Sequence, residues 1–427
     1  MNTQIDEIRA RRIWDSRGRP TIEVDVRLKN GKRGRGVAPA GASRGVNEAV
    51  DLRDGGTLFA GLDVTNAIDR VKGDVASAII GLDAMDQRGL DNVLIMLDGT
   101  NNKSLLGGNT TVATSMAVLR AAAASQRQPL WRYLADGKSV RLPLPEVQIF
   151  GGGAHAGRRV DVQDFLIMPV GADSFSHAME MVFNVYASAG QLMEKKGPLT
   201  GVADEGGYWP NFDSNEEALG MLTRAIELAG YSNGDVMISL DIAASEFHKD
   251  GNYHLGLEKS AYNTDEWIDE LGRWLDTYPI LSIEDPVDEL DHAGMTEFTR
   301  RYGNRVQIIG DDYLVTSAER VRAAQEIGAC NAVLLKPNQV GTVSETHDAF
   351  EAAQEKDWGT VVSARSGETE DVFIADLSVG WNAGQLKVGS FTRSERLAKW
   401  NQILRIEDIL GNDAVFAGRY ALPKVLH

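Results

Sequence analysis

Charged side chains stand at the ends of several short apolar runs in the second half of the chain. In chain order they are Asp241, Glu284, Asp311, Lys336, Arg365 with Ser366, and Lys387. Carboxylates that converge from neighbouring runs would form an all-oxygen site suited to Mg²⁺. A buried lysine beside such a metal could have a pKa low enough to act as a base. Each residue alone has an ordinary structural explanation, but together they indicate proton transfer next to a cation.

The runs that carry these residues recur at a nearly constant spacing. They begin near residues 235, 280, 306, 332, 359 and 385, so the last five are separated by 26, 26, 27 and 26 residues. Helical patterns lie between them, such as Trp267, Leu271 and Trp274 at i, i+4 and i+7. Strand followed by helix, repeated, predicts parallel strands. Two further apolar runs, 142–150 and 165–170, bring the predicted strands to the number in a (β/α)8 barrel, whose reactive groups lie at the C-terminal strand ends.

The first part of the chain has a different pattern and predicts an α+β capping domain. Residues 21–26 alternate as in a half-buried antiparallel strand, a glycine-rich loop covers 34–45, and the alanine-rich run 113–124 suits a packed helix. Pro143 and Pro145 then favour extended backbone. We therefore predict an α/β protein with a cap over residues 1–136 and a barrel over residues 137–427.

The composition restricts the class of protein. The chain has 427 residues, of which 43% are hydrophobic and 25% charged, as in ordinary globular proteins. Its net charge of −17, without a long basic cluster, argues against nucleic acid or anionic lipid as partners. The only cysteine, Cys330, excludes an internal disulfide and is typical of a reducing compartment. Since no secretory signal and no apolar run of the roughly 18 residues needed for a membrane span is present, we expect a cytoplasmic protein.

Short motifs along essentially the whole chain resemble the enolase family. They are Trp14-Asp15-Ser16-Arg17-Gly18, Asp98-Gly99-Thr100, Gly152-Gly153-Ala154-His155-Ala156, Asp204-Glu205-Gly206-Gly207, Ser245-Glu246-Phe247, Gly310-Asp311-Asp312, Lys336-Pro337-Asn338-Gln339, Arg365-Ser366-Gly367-Glu368-Thr369-Glu370-Asp371 and Arg393-Ser394-Glu395-Arg396-Leu397-Ala398-Lys399. The resemblance implies an enolase-type (β/α)8 barrel with an α+β cap. It also implies a Mg²⁺-dependent lyase acting on a 2-phosphoglycerate-type acid, with the superfamily's known pattern of a base and Mg²⁺ on an ene-diolate.

The resemblance assigns the metal ligands and the base. Asp241, Glu284 and Asp311 would hold one Mg²⁺, and Ser43, in a mobile loop, would bind a second that arrives with the substrate. Lys336 would remove the proton α to the substrate carboxylate, which creates a dianion that needs divalent cations on its oxygens.

The resemblance also assigns the groups around the leaving group and the substrate. Glu205 would donate a proton to the departing β-hydroxyl, and His155 would lie nearby. Arg365 and Ser366 would bind the phosphoryl group and Lys387 the carboxylate. A homodimer or a higher homo-oligomer is implied as well.

Several positions within the predicted site depart from the family pattern. Ala364 stands where the family has histidine, and Asp164, which we count among the catalytic residues, stands where it has glutamate. Both changes leave extra space. Arg44, Arg158 and Arg159 add guanidinium groups suited to a further phosphate or carboxylate.

These departures favour an altered substrate that carries an additional anionic group. The enolase-like activity that fits is that of a carboxyphosphonoenolpyruvate synthase from phosphinothricin-type antibiotic biosynthesis. The first alternative is an ordinary glycolytic enolase that has drifted and converts 2-phosphoglycerate to phosphoenolpyruvate. The second is a non-catalytic binding protein on the same scaffold, although loss of function should not spare the metal carboxylates, both lysines and Glu205.

Overall fold

The N-terminal part of the chain is a three-stranded antiparallel sheet followed by helices. The computed structural model describes residues 2–42, 44–232 and 234–427. The sheet has the order β1 (Ile5–Trp14), β2 (Pro20–Leu28) and β3 (Arg33–Val37). The helices that follow are α1 (Thr65–Arg70), α2 (Ala76–Ile79), α3 (Gln87–Asp98), α4 (Gly108–Ser125) and α5 (Leu130–Ala135). This is the α+β architecture predicted for the cap.

The core of this part forms where the sheet packs on α4. The alternating segment 21–26 lies in β2, which pairs antiparallel with both neighbours, as predicted. The alanine-rich run 113–124 lies in α4 and is almost entirely buried. A Cβ atom at Gly34 of β3 would lie 2.1 Å from the carbonyl oxygen of Ala117. Only glycine therefore permits the close contact between helix and sheet.

The rest of the chain forms a closed eight-stranded barrel. Its strands are β4 (Leu144–Gly151), β5 (Asp164–Met168), β6 (Met237–Asp241), β10 (Ile280–Glu284), β11 (Gln307–Gly310), β12 (Ala332–Leu335), β13 (Gly359–Ser363) and β14 (Gly384–Ser390). A small separate sheet of β7 (His248–Lys249), β8 (Asn252–Leu255) and β9 (Ser260–Tyr262) interrupts the series. The predicted strands are thus confirmed.

Helices surround the barrel and connect its strands. They are α6 (Phe175–Lys196), α7 (Asn215–Leu228), α8 (Thr264–Thr277), α9 (His292–Tyr302), α10 (Ala318–Ile327), α11 (Pro337–Val340), α12 (Val343–Gln354), α13 (Phe373–Gly380) and α14 (Ser394–Leu410). Trp267, Leu271 and Trp274 form the buried face of α8, as their spacing predicts. Among the described residues, no helix combines the length and apolar character that a membrane span requires.

The second barrel strand runs antiparallel to its neighbours, so the prediction that all strands are parallel is wrong at this place. β5 pairs antiparallel with both β4 and β6, whereas the other neighbouring pairs are parallel. Residues 152–163, between β4 and β5, contain only a single 3₁₀ turn, at Gly153–Ala156. Parallel neighbours need a longer crossover, usually a helix, so this connection reverses the chain. As a result Asp164, at the start of β5, lies in register with Asp241, at the end of β6.

Candidate functional site

Five of the seven residues predicted from the strand ends line one cleft at the C-terminal end of the barrel, and the other two, Glu284 and Asp311, form ion pairs with the lining residues Lys387 and Lys336. The cleft contains about 330 Å³ of empty space and is lined by Gly41, Ala42, His155, Gln163, Asp164, Glu205, Asp241, Lys336, Ser363, Ala364, Arg365, Ser366, Lys387 and Val388. A wider groove, with about 1180 Å³ of space that includes open solvent, lies at the other end of the barrel, against the starts of β13 and β14. The wider groove does not contain the converging charged groups, so chemistry locates the site better than size.

Two of the predicted metal ligands lie side by side and share one lysine. Asp241 and Glu284 are register partners at the ends of β6 and β10. The Nζ atom of Lys387 is 2.8 Å from Asp241 Oδ2 and 2.7 Å from Glu284 Oε2. Burial lowers the pKa of Lys387, but the two carboxylates outweigh burial and raise it well above its usual value. The ammonium therefore stays charged and offsets part of the negative charge of the pair.

The donor set fits Mg²⁺. Among the described residues, the buried Glu284 Oε1 atom has no hydrogen-bond partner. Burial and the neighbouring Asp241 raise the pKa of Glu284 well above its usual value, so this carboxyl needs a further cation to remain ionised. Hard oxygen donors of this kind are the ligands that Mg²⁺ prefers. Asp311, the third predicted ligand, is grouped differently: its carboxylate oxygen lies within 4.8 Å of those of Asp285 and Asp312, and Asp241 and Glu284 do not belong to that group. Ser43, the predicted ligand of a second ion, lies outside the described residues.

Lys336, the predicted base, forms a buried ion pair with Asp311, the third predicted metal ligand. Lys336 Nζ donates to Asp311 Oδ2, and Gln339 Nε2 donates to Asp311 Oδ1 at 2.9 Å. Burial lowers the pKa of Lys336, but the surrounding carboxylates, Asp311 foremost and Glu284 with it, together raise the pKa above its usual value. The low pKa expected from the sequence concerns Lys336 beside a bound Mg²⁺ and stays a prediction.

The N-terminal part of the chain contacts the two residues predicted to bind the phosphoryl group, Arg365 and Ser366. Both terminal nitrogens of Arg365 contact the Glu48 carboxylate, at 3.0 and 3.1 Å. Ser366 Oγ accepts a hydrogen bond of 2.6 Å from the backbone N–H of Ala42. Glu48, Arg365 and Ser366 are buried, whereas Ala42 is exposed. The cap therefore holds these two side chains from the open side of the barrel.

The opposite side of the cleft carries a histidine between two carboxylates. His155 Nδ1 lies 2.9 Å from Asp164 Oδ1, and His155 Nε2 lies 3.8 Å from Glu205 Oε1. Burial alone would lower the pKa of His155, but Asp164 and Glu205 outweigh it and raise the pKa to about 9. Burial would raise the pKa of Glu205, yet the His155 charge together with the more distant Arg396 and lysines lowers it. At neutral pH this group holds its proton on the imidazole.

Comparison with known proteins agrees with this geometry. The family model described as "Enolase, N-terminal domain" matches residues 5–134, and "Enolase, C-terminal TIM barrel domain" matches residues 139–425. A protein named "Enolase 1" from Desulfitobacterium hafniense (strain Y51) is 48% identical over 420 residues, which cover 97% of this chain and 96% of that protein. The chain belongs to the enolase family. It is an enolase-type lyase, and the family implies the use of Mg²⁺ and of small phospho-acid substrates.

Several polar residues of this enolase site were not predicted from the sequence. Gln163 Nε2 donates to Asp241 Oδ2 at 3.1 Å, and Gln148 Nε2 donates to Asp164 Oδ1. Gln339 lies within one of the family motifs, and Gln163 directly precedes Asp164. Inspecting the neighbours of the recognised residues could therefore have found both. Glu48 and Gln148 have no such signal, because each contacts its partner only through the tertiary fold.

The three arginines proposed for an additional anionic group do not line the cleft. Arg158 is exposed and forms an ion pair of 2.5 Å with Glu246. Arg44 is exposed and lines a separate pocket with Glu246, Asp285 and Asp312, while Arg159 is half-buried. Their role as anion ligands stays a prediction. Ala364, by contrast, lies in the cleft wall next to Arg365.

Proposed function

We propose that this enolase-family protein catalyses the Mg²⁺-dependent dehydration of 2-phosphoglycerate to phosphoenolpyruvate. The observation that carries the proposal is the single cleft in which the predicted base, the predicted proton donor and the predicted carboxylate and phosphoryl ligands converge. The near full-length similarity to a protein named "Enolase 1" supports the same reaction. Of the alternatives considered for the sequence, the ordinary enolase reaction is therefore favoured over the altered substrate.

The residues proposed for proton abstraction lie on the side of the cleft formed by the ends of β11 and β12. Mg²⁺ held by Asp241, Glu284 and Asp311 would supply positive charge for the carboxylate oxygens as a dianion develops. Lys336 takes the α-proton through Nζ, for which it must be neutral. Asp311 favours the charged lysine and is also a proposed metal ligand, so one carboxylate links the metal site to the base.

The residues proposed to assist departure of the hydroxyl lie on the side of the cleft that contains the β4–β5 connection. The His155 imidazolium, whose Nε2 lies 3.8 Å from Glu205 Oε1, first passes its proton to the ionised Glu205, and Glu205 then delivers that proton to the leaving oxygen. Asp164 accepts from His155 Nδ1 and thereby directs Nε2 toward Glu205. Arg365 and Ser366 bind the phosphoryl group, and Lys387 binds the substrate carboxylate.

The test is to follow phosphoenolpyruvate formation from 2-phosphoglycerate with and without Mg²⁺. We expect a turnover number in the range of about 1 to 10³ s⁻¹ that is typical of enzymes. In D₂O, deuterium should enter the α position of remaining substrate, and NMR detects it. Absence of both product and exchange with Mg²⁺ present would contradict the proposal.

One observation favours a second candidate function, a substrate with an additional anionic group of the carboxyphosphonoenolpyruvate synthase type. Ala364 and Asp164, the shortened positions, both line the cleft. Loss of an imidazole near a phosphate should cost roughly 2 to 4 kcal/mol of transition-state stabilisation if nothing replaces it.

The two candidates differ in how 2-phosphoglycerate turnover responds to restoring the family histidine at position 364. The measurement is kcat/KM for 2-phosphoglycerate in the parent and in Ala364→His, which leaves the contact between Gln148 and Asp164 unchanged. A fast parent with no gain in the variant favours the ordinary reaction. A slow parent with a large gain favours the altered substrate.

The remaining expectations concern organisation. We propose a cap over residues 1–136, a barrel over 137–427, a second Mg²⁺ that arrives with substrate and involves Ser43, a homodimer or higher homo-oligomer, and a cytoplasmic location. Size-exclusion chromatography with light scattering measures the oligomer, and Mg²⁺ titration with and without substrate counts the ions.

A further inference from the structure

Gln148 is a fully buried side chain next to the site that the proposed reaction does not use. It lies on β4, with no exposed surface. Its Nε2 donates to Asp164 Oδ1, and its Oε1 accepts a 2.8 Å hydrogen bond from the backbone N–H of Gly207. Gln148 therefore joins the carboxylate that orients His155 to the loop that carries Glu205.

Backbone hydrogen bonds hold the loop that carries Glu205 at several points. Asp204 N–H donates to the His155 carbonyl at 3.0 Å, Tyr208 N–H to that of Ile149 at 2.9 Å, and Ser390 N–H to that of Glu205 at 2.9 Å. A Cβ atom at Gly207 would lie 2.5 Å from Gln148 Oε1. The Gln148 amide is thus in direct contact with the loop. A longer or shorter side chain at position 148 must therefore shift either the loop or Asp164.

The length of Gln148 matches the short side chain at position 164. Asp164 is pinned at its backbone, because it is the register partner of Gly151 on one side and Asp241 on the other. A glutamate there would advance the carboxylate by about one C–C bond, roughly 1.5 Å, into the Gln148 amide. An asparagine at 148 would in turn leave a gap of the same size between the amide and Asp164.

We propose that Gln148 is a positioning residue and forms a length-matched pair with Asp164 that sets Glu205 relative to His155. The proposal rests on the proposed function, since Glu205 is its proton donor. It predicts that the pair governs departure of the hydroxyl and leaves removal of the α-proton, on the Lys336 side, largely unaffected.

The experiment compares the parent with Gln148→Asn, Asp164→Glu and the double variant, all as full-length protein with 2-phosphoglycerate and Mg²⁺ in D₂O. Phosphoenolpyruvate formation and α-deuterium incorporation are measured in the same samples. Misplacement of a catalytic group by about 1 Å costs on the order of 100-fold, so each single variant should lose about 10- to 100-fold in kcat for product. Exchange should stay within about threefold of the parent, and KM should change little.

The double variant provides the decisive comparison, because it exchanges one methylene between the two side chains and conserves their total length. We expect its product formation to return to within about threefold of the parent. Gln385→Asn is the matched control, since Gln385 is equally buried and hydrogen-bonded within the barrel but contacts neither Asp164 nor the Glu205 loop. The control should not alter the ratio of product to exchange.

Three outcomes would overturn the pairing: singles that keep full product formation, singles that lose product and exchange equally, and a double variant whose loss equals the product of the single losses. If the parent itself gives neither product nor exchange, the proposed function has failed instead. The pairing is then judged by urea unfolding of the same four proteins. It predicts a midpoint for the double variant closer to the parent than either single variant reaches, and additive shifts contradict it.

Discussion

The two sides of the cleft are built in different ways. The base side, defined as Lys336, Asp311, Gln339, Arg365 and Glu48, is carried mainly by the ends of the parallel strands β11 to β13. The donor side, defined as His155, Asp164, Glu205 and Gln148, is carried by β4, the antiparallel β5 and the connecting loops. The ends of parallel strands carry most of the base side, whereas the donor side depends on an antiparallel strand and on the loops beside it.

The difference also extends to where protons are held. On the base side, the nearby carboxylates raise the pKa of Lys336, so the ammonium form is favoured. On the donor side, the imidazole keeps a proton between two carboxylates at neutral pH. Lys336 thus needs a change in its surroundings before it can accept a proton, whereas His155 already holds a proton that can be donated.

Removing the metal should have the largest effect, because it is expected to disable both sides. Exhaustive chelation should abolish turnover of 2-phosphoglycerate, and added Mg²⁺ should restore it. Asp241→Ala should bind Mg²⁺ more weakly, as measured by calorimetric titration. The exposed Asp408→Ala serves as the control and should bind as the parent does. Full activity after chelation, or unchanged Mg²⁺ affinity in Asp241→Ala, contradicts the assignment of the metal ligands.

Single substitutions should separate the two sides. Lys336→Ala should lose both α-proton exchange and product by on the order of 10²- to 10⁴-fold, as expected for a positioned base. Glu205→Gln should lose product to a similar extent but retain exchange, because its role begins after the α-proton has left. Exchange in Lys336→Ala as fast as in the parent would show that the base lies elsewhere.

The donor side should make stability depend on pH between about 6.5 and 9. The pKa of His155 is raised from 6.5 to about 9 by folding, so its contribution is complete below pH 6.5 and is lost as pH rises through 9. The shift corresponds to on the order of 3 kcal/mol in the free energy of unfolding. Urea unfolding across this range should show a larger loss in the parent than in His155→Gln. The partly exposed His177→Gln should behave as the parent, and equal losses in all three would contradict the ion-pair interpretation.

The smallest effect is expected from Arg158, which lies outside both sides. Its side chain is 70% exposed, and its ion pair with Glu246 is at the surface. Exposed pairs contribute little, so Arg158→Ala should change kcat/KM for 2-phosphoglycerate by no more than about twofold. A tenfold loss would mean that the loop brings this arginine to the substrate, and would favour the candidate with an additional anionic group.

The base side could be predicted from the sequence to a much greater degree than the donor side. The spacing of apolar runs located β10 to β14, and Asp311, Lys336 and Arg365 of the base side follow from the ends of these strands, whereas Glu48 does not. On the donor side, Glu205 and His155 came from motif resemblance alone. The reversal of β5 was not predicted, because an apolar run has the same composition in either direction.

The sequence by itself determined the fold class, the strand positions and the types of reactive group, because periodicity and residue chemistry are local properties. Only the tertiary structure decided which groups touch. It paired Lys336 with Asp311, Arg365 with Glu48 and Gln148 with Asp164, across as many as 317 positions of the chain. These contacts depend on barrel closure and on the seating of the cap, and they control proton affinity because electrostatic interaction depends on distance in space and not along the sequence.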